Sequence, residues 1–137
     1  MYKHILVAVD GSDNSLRAME DAIKVASAGS KIEVLYVAST DHIASKILKA
    51  GTLDEVDKEY RLKIAREEEV LKASGIPYSV MIEHGEPGKT IVRYVNDSDA
   101  DLVVMGCRGL NAMQEMVFGS VSSYVMKHIN CSCLLVK

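Results

Sequence analysis

Short aliphatic runs alternate along the chain with longer segments whose apolar residues recur every three or four positions, and this alternation is its strongest folding constraint. A continuous apolar run of four to eight residues fits a strand covered on both faces, and the helical stripes between such runs are the crossovers that parallel strands need. Ile5-Leu6-Val7-Ala8-Val9, Leu102-Val103-Val104-Met105 and Cys133-Leu134-Leu135-Val136 are such runs, residues 32–38 are β-branched and aromatic enough for a second buried strand, and residues 78–82 read as a third, which makes five strands. Four helices are predicted between them. The first carries Leu16, Met19, Ile23 and Ala26 behind a cap at Ser12 or Asp13, with Gly29 as its stop. The second is long, with Leu53, Val56, Tyr60, Ile64 and Leu71 on one stripe, and Gly75-Ile76-Pro77 ends it. Pro87 suits the first turn of the third, which carries Ile91, Tyr94 and Val95, and the fourth spans about residues 120–129 with Val121, Val125 and His128 on one side. Residues 39–52 carry no readable pattern.

The 137 residues are 48% hydrophobic and 26% charged, which favours one compact domain over 1–137, large enough to stand on packing alone. A net charge of −3 without a basic stretch argues against a nucleic-acid polymer as partner. No apolar run approaches the roughly 20 residues that span a bilayer. Met1-Tyr2-Lys3-His4 leads straight into strand-like sequence with no signal-peptide pattern, and Cys107, Cys131 and Cys133 form no disulfide framework, so the expected location is the cytoplasm. On the long helix, Asp54 with Lys58, Asp57 with Arg61, Glu59 with Lys63 and Glu68 with Lys72 stand at i,i+4, as on a solvated face with no function of its own.

In an open parallel sheet, ligands bind beyond the carboxyl ends of strands where the winding reverses, which directs attention to the turns after strands one and four. After strand four come Gly106-Cys107-Arg108-Gly109, residues 110–118, and then Gly119-Ser120-Val121-Ser122 opening a helix. Glycines admit a close anion, a helix start presents unpaired N–H groups, the serines add hydroxyls, and Arg108 offers a charged fork. The same residues also suit an ordinary turn followed by an N-cap.

The whole spacing, Gly106-x2-Gly109-x9-Gly119-Ser120, resembles the ATP-binding signature of the universal stress protein family. Asp10-Gly11-Ser12 after the first run, Gly85-Glu86-Pro87 and the segment 100–106 are similar to other parts of that family, so the resemblance covers nearly the whole chain. It implies a three-layer α/β/α fold with a five-stranded parallel sheet in the order 3-2-1-4-5. It further implies ATP as ligand, accompanied by Mg²⁺ or Mn²⁺. Val9 and Asp10 would lie beside the nucleotide, with Asp10 on the metal side, and Val37 would line the adenine pocket. Met105 and Gly106 would meet the ribose and first phosphates, and Arg108, Gly109, Gly119, Ser120, Val121 and Ser122 would close around the phosphate chain. Read without the resemblance, Asp10 is a turn aspartate and Val37 a core valine.

Two positions depart from the family pattern. Cys107 replaces a small hydroxyl residue and is read as a passive side chain rather than a redox thiol, and Ser132 stands where proline usually precedes the last strand. The four histidines show no metal-ligand spacing, there is no Gly-x4-Gly-Lys-Ser/Thr motif, and no serine or cysteine has a base partner. Strand five is an edge too apolar to stay bare, and pairing with a second copy would cover it, as the homodimers of the family also imply. The leading expectation is an ATP-binding stress-response module. The alternatives are slow ATP hydrolysis or adenylate transfer, and a nucleotide-free dimeric scaffold.

Overall fold

The computed structural model describes residues 1–40, 48–49, 51–107 and 119–137. Its elements are β1 (His4–Val9), α1 (Asp13–Val25), β2 (Lys31–Ala38), α2 (Leu53–Lys63), α3 (Ala65–Ser74), β3 (Tyr78–His84), α4 (Pro87–Asn96), β4 (Leu102–Gly106), α5 (Ser120–His128) and β5 (Ser132–Val136). All strand pairings are parallel and the sheet order is β3-β2-β1-β4-β5. This is the α/β architecture that the alternation of runs and stripes implies.

The aliphatic runs are continuous because both faces are covered. Val80, Val34, Val7, Val104 and Leu134 stand in register across all five strands. They pack with Met19 and Ala22 of α1, Val56 of α2 and Leu71 of α3. Residues of alternate parity, including Leu6, Leu35 and Val103, turn to the opposite face and meet Ile91 and Val95 of α4 and Val125 of α5.

Two element boundaries differ from the sequence reading. α1 is capped by Ser12, whose hydroxyl accepts from the Ser15 N–H at 3.2 Å, but it ends at Val25, short of Gly29. The Ser27 N–H is taken by the Ser30 hydroxyl, which itself donates to the Tyr2 carbonyl, so the serines close a turn where the helix would have continued. The long second helix is two helices, broken at Ile64 with φ −106° and ψ 22°. Among the described residues there are therefore five helices where the sequence indicated four. Tyr60, Ile64 and Leu71 are all buried despite the break.

The charged face of this segment is not wholly solvated. Arg61 reaches across the break to Glu68 with Nε–Oε1 3.1 Å and Nη2–Oε2 2.8 Å, and the Tyr78 hydroxyl donates to Oε2 at 2.8 Å. Asp57 meets His84 of β3 at 2.7 Å, so Asp57 and Arg61 each have a partner other than the i,i+4 one expected. Glu67, fully buried, accepts from the Ser15 hydroxyl at 2.8 Å and joins α3 to α1. The Arg61 fork holds the Glu68 carboxyl down at about 2, against a burial effect that raises it and with help from Tyr78. A carboxyl lowered in the folded state stabilises the fold at neutral pH, and that contribution fades as pH falls from the usual carboxylate range toward 2. Arg61→Ala should cost about 1–2 kcal/mol at pH 7, discounted because Arg61 is half-exposed, and the gap to the wild type should narrow below the usual carboxylate range and close only at about pH 2 and below. Urea unfolding at the two pH values measures it; a gap independent of pH would assign the loss to packing.

Candidate functional site

The carboxyl ends of β1, β2 and β4 converge where the chain winds from β1 to both sides of the sheet, the position at which an α/β sheet opens a crevice. At the end of β1 the Ser12 N–H donates to Asp10 Oδ1 at 2.9 Å, and Gly11 takes φ +82° to turn the chain into α1. A Cβ on Gly11 would sit 2.6 Å from the Lys63 carbonyl oxygen, so this turn is packed directly against the break between α2 and α3.

Gly106 at the end of β4 is required for close approach and not for a special dihedral. It is absent from the positive-φ glycines, yet a Cβ there would lie 2.8 Å from the Asn14 carbonyl oxygen and 2.9 Å from Asn14 Cβ. The first turn of α1 rests on it. Gly119 is the N-cap of α5 with φ −63°, which makes Ser120 the first helical residue and not the cap. Neither Gly119 nor Glu86, the N-cap of α4, supplies a side-chain acceptor, so the first N–H groups of both helices lack a side-chain cap.

Between these elements lies a cavity of about 330 Å³. Its apolar wall comes from Ala8, Leu35, Val37, Ile91, Met105 and Val121. Its polar edge comes from Asp10, Ser12, Asn14, Ser39 and Ser122. An apolar wall beside helix N-termini and hydroxyls suits a ligand with an aromatic ring at one end and anionic groups at the other. Among the described residues no group of three or more His, Cys, Asp or Glu side chains could hold a metal.

The profile of the universal stress protein family matches residues 1–137. The chain belongs to the universal stress protein family. It is 32% identical over 152 residues to universal stress protein Sll1388 of Synechocystis, covering 99% of this chain and 98% of that one. Among solved structures it is similar to universal stress protein UspA from Lactobacillus plantarum, with 28% identity, a TM-score of 0.76 and coverage of 99% and 98%. It is equally similar, at 27% identity and TM-score 0.76 over 99% and 97%, to a universal stress protein solved in complex with cAMP.

Of the residues that the sequence of this universal stress protein singled out, Val9, Asp10, Val37, Met105, Gly106, Val121 and Ser122 line the cavity. Gly119 and Ser120 do not line it but directly precede Val121 at the start of α5. Arg108, Gly109 and the loop 110–118 lie outside the described residues. Ala8, Leu35, Ile91 and Asn14 also line the cavity and were not foreseen. The parity of β1 and β2 carried a signal for two of them, since Ala8 and Leu35 are register partners on the face turned to α4. Nothing in the sequence placed Asn14, which depends on how α1 crosses β4.

Cys107 is buried, with its N–H donating to the Val136 carbonyl at 2.7 Å. Burial raises the Cys131 thiol and pushes Cys133 up to about 11, which keeps both protonated and unreactive at neutral pH.

Proposed function

We propose that this universal stress protein, acting as one domain over residues 1–137, binds an adenine nucleotide in the cavity at the ends of β1, β2 and β4, with ATP and its Mg²⁺ or Mn²⁺ as the principal ligand. The observation that carries this reading is the joining of an apolar wall, including Val37 and Met105, to the N-terminus of α5 at Val121 and Ser122 in one cavity. The cAMP complex of a relative 27% identical to this chain supports the adenine end of the assignment. In this reading Val9 and Val37 flank the base, Met105 and Gly106 meet the ribose, and Gly119, Ser120, Val121 and Ser122 receive phosphate oxygens together with Arg108 and Gly109. The cation is held by phosphates and by Asp10. Dipole attraction at one helix end gives only about 0.3–1 kcal/mol, so affinity depends on several N–H groups and the base contacts acting together. The protein is a binding module whose nucleotide state serves regulation in the cytoplasm.

Asp10→Asn tests the metal side. Asparagine keeps an oxygen for the Ser12 N–H, so the turn survives while the charge is lost. Affinity for Mg·ATP should fall about tenfold, the value of a hydrogen bond or contact to a charged group, while affinity for metal-free ATP should not fall. Equal affinities for Mg·ATP in both proteins would leave Asp10 with the turn alone.

The outer edge of β5 pairs with no strand among the described residues, and Leu134 and Leu135 are only half-buried. This supports a homodimer formed through that edge. Light scattering should give twice the chain mass at micromolar concentration, and a monomer there would remove β5 pairing from the account.

A further inference from the structure

Cys107, the residue at which the described chain leaves β4, has both sides of its peptide environment held. Its N–H donates to the Val136 carbonyl of β5 at 2.7 Å. Its carbonyl accepts from Asn14 Nδ2 of α1 at 2.8 Å. Asn14 Oδ1 accepts in turn from Arg17 Nη2, and Arg17 Nε donates to the Lys137 main-chain oxygen at 3.0 Å. The amide orientation follows from chemistry: a guanidinium only donates and a carbonyl only accepts, so Oδ1 faces Arg17 and Nδ2 faces Cys107. Asn14 and Arg17 are three apart on α1 and therefore neighbours on one side of the helix.

These bonds close a ring that runs from Cys107 to Val136 at the end of the last strand and Lys137 just after it, back through Arg17 to Asn14, and so to Cys107 again. Asn14 lines the cavity and its backbone lies on Gly106, whereas Arg17 does not line it. We infer that Arg17 and Asn14 are positioning residues that couple the nucleotide cavity to the edge strand β5, setting the place of the Gly106 and Cys107 backbone from the register of the last strand. This inference rests on the nucleotide reading given above. Because Arg17 lies outside the cavity lining, its effect on binding passes through Asn14. By linkage, a nucleotide that favours the closed ring also favours the order of β5.

Calorimetric titration of Mg·ATP into the wild type, Arg17→Ala, Asn14→Ala and the double variant tests the coupling. Arg17→Ala should weaken binding about three- to tenfold, the scale of one lost hydrogen bond, and the double variant should bind no more weakly than Asn14→Ala because the ring is already open. Arg17→Lys keeps the charge but not the planar fork that serves two acceptors, and should recover only part of the loss. Hydrogen exchange at the Cys107 amide in nucleotide-free protein reads the ring independently of binding. Arg17→Ala should speed it several-fold while the Val104 amide at the centre of β4 stays at the wild-type rate. Wild-type affinity and wild-type Cys107 exchange in Arg17→Ala, additive losses in the double variant, or full recovery by Arg17→Lys would each overturn the inference. If Cys107 exchange responds to Arg17→Ala but the wild type binds no ATP, the nucleotide reading has failed and the coupling to binding falls with it.

Discussion

Replacing Gly106 with valine should destabilise the protein by about 1–3 kcal/mol or more and abolish nucleotide binding. The first added carbon would lie 2.8 Å from the Asn14 carbonyl oxygen, 2.9 Å from Asn14 Cβ and 3.0 Å from its carbonyl carbon. These atoms belong to or adjoin the backbone in the first turn of α1 and cannot rotate away, so α1 or the end of β4 must move. Both carry cavity residues, Asn14 and Ser15 on one side and Met105 on the other, so strain and lost binding arise from one displacement. Urea unfolding and ATP titration of the variant measure the two effects. Wild-type stability would show that α1 yields freely, and wild-type affinity would show that the ligand does not sit against Gly106.

Ala8→Phe should spare the fold and still remove the ligand. Ala8 faces the α4 side of the sheet beside its register partner Leu35, and its small side chain leaves open part of the cavity of about 330 Å³. A phenyl ring there fills the space proposed for the base. Mg·ATP affinity should fall about a hundredfold or more, while stability should stay within about 1 kcal/mol because the added ring enters existing space rather than a packed core. Loss of binding with an intact fold separates this variant from Gly106→Val. Undiminished affinity would move the base to another part of the cavity.

The parts of the fold that periodicity reports were legible, and those that depend on a single residue or on tertiary contact were not. β1 and β4 were readable because residues of both parities are buried there, which turns each into an unbroken aliphatic run, whereas β3 alternates between half-buried and exposed positions and carries Ser79 and the exposed Met81. The break at Ile64 was invisible because one irregular residue leaves Tyr60, Ile64 and Leu71 on the same buried stripe. Arg61 was assigned to Asp57 by the i,i+4 rule, whereas the break brings Glu68 within reach seven residues on and leaves Asp57 to His84. His4 showed no metal-ligand spacing, yet it is a buried residue held by Glu33 and Asp99, partners far apart in sequence. At the cavity, Asp10 and Gly106 stood out because they follow buried runs at strand ends. Asn14 did not stand out, because its importance lies in the packing of α1 across Gly106 and Cys107. Gly106 and Gly119 share a motif but differ physically: the first has no room for a side chain against Asn14, and the second caps a helix in an ordinary extended conformation.

The central claim is that the cavity at the ends of β1, β2 and β4 binds an adenine nucleotide. The most direct test is calorimetry of ATP with Mg²⁺ on protein stripped of co-purifying nucleotide, with the released nucleotide identified and the sample followed for ADP. One ATP bound per chain near the micromolar range, equivalent to about 8 kcal/mol, with an adenine nucleotide among the released material and little ADP formed, is the predicted result. No heat with ATP, ADP, AMP or cAMP and no nucleotide in the released fraction would contradict the claim and leave a nucleotide-free scaffold as the surviving account.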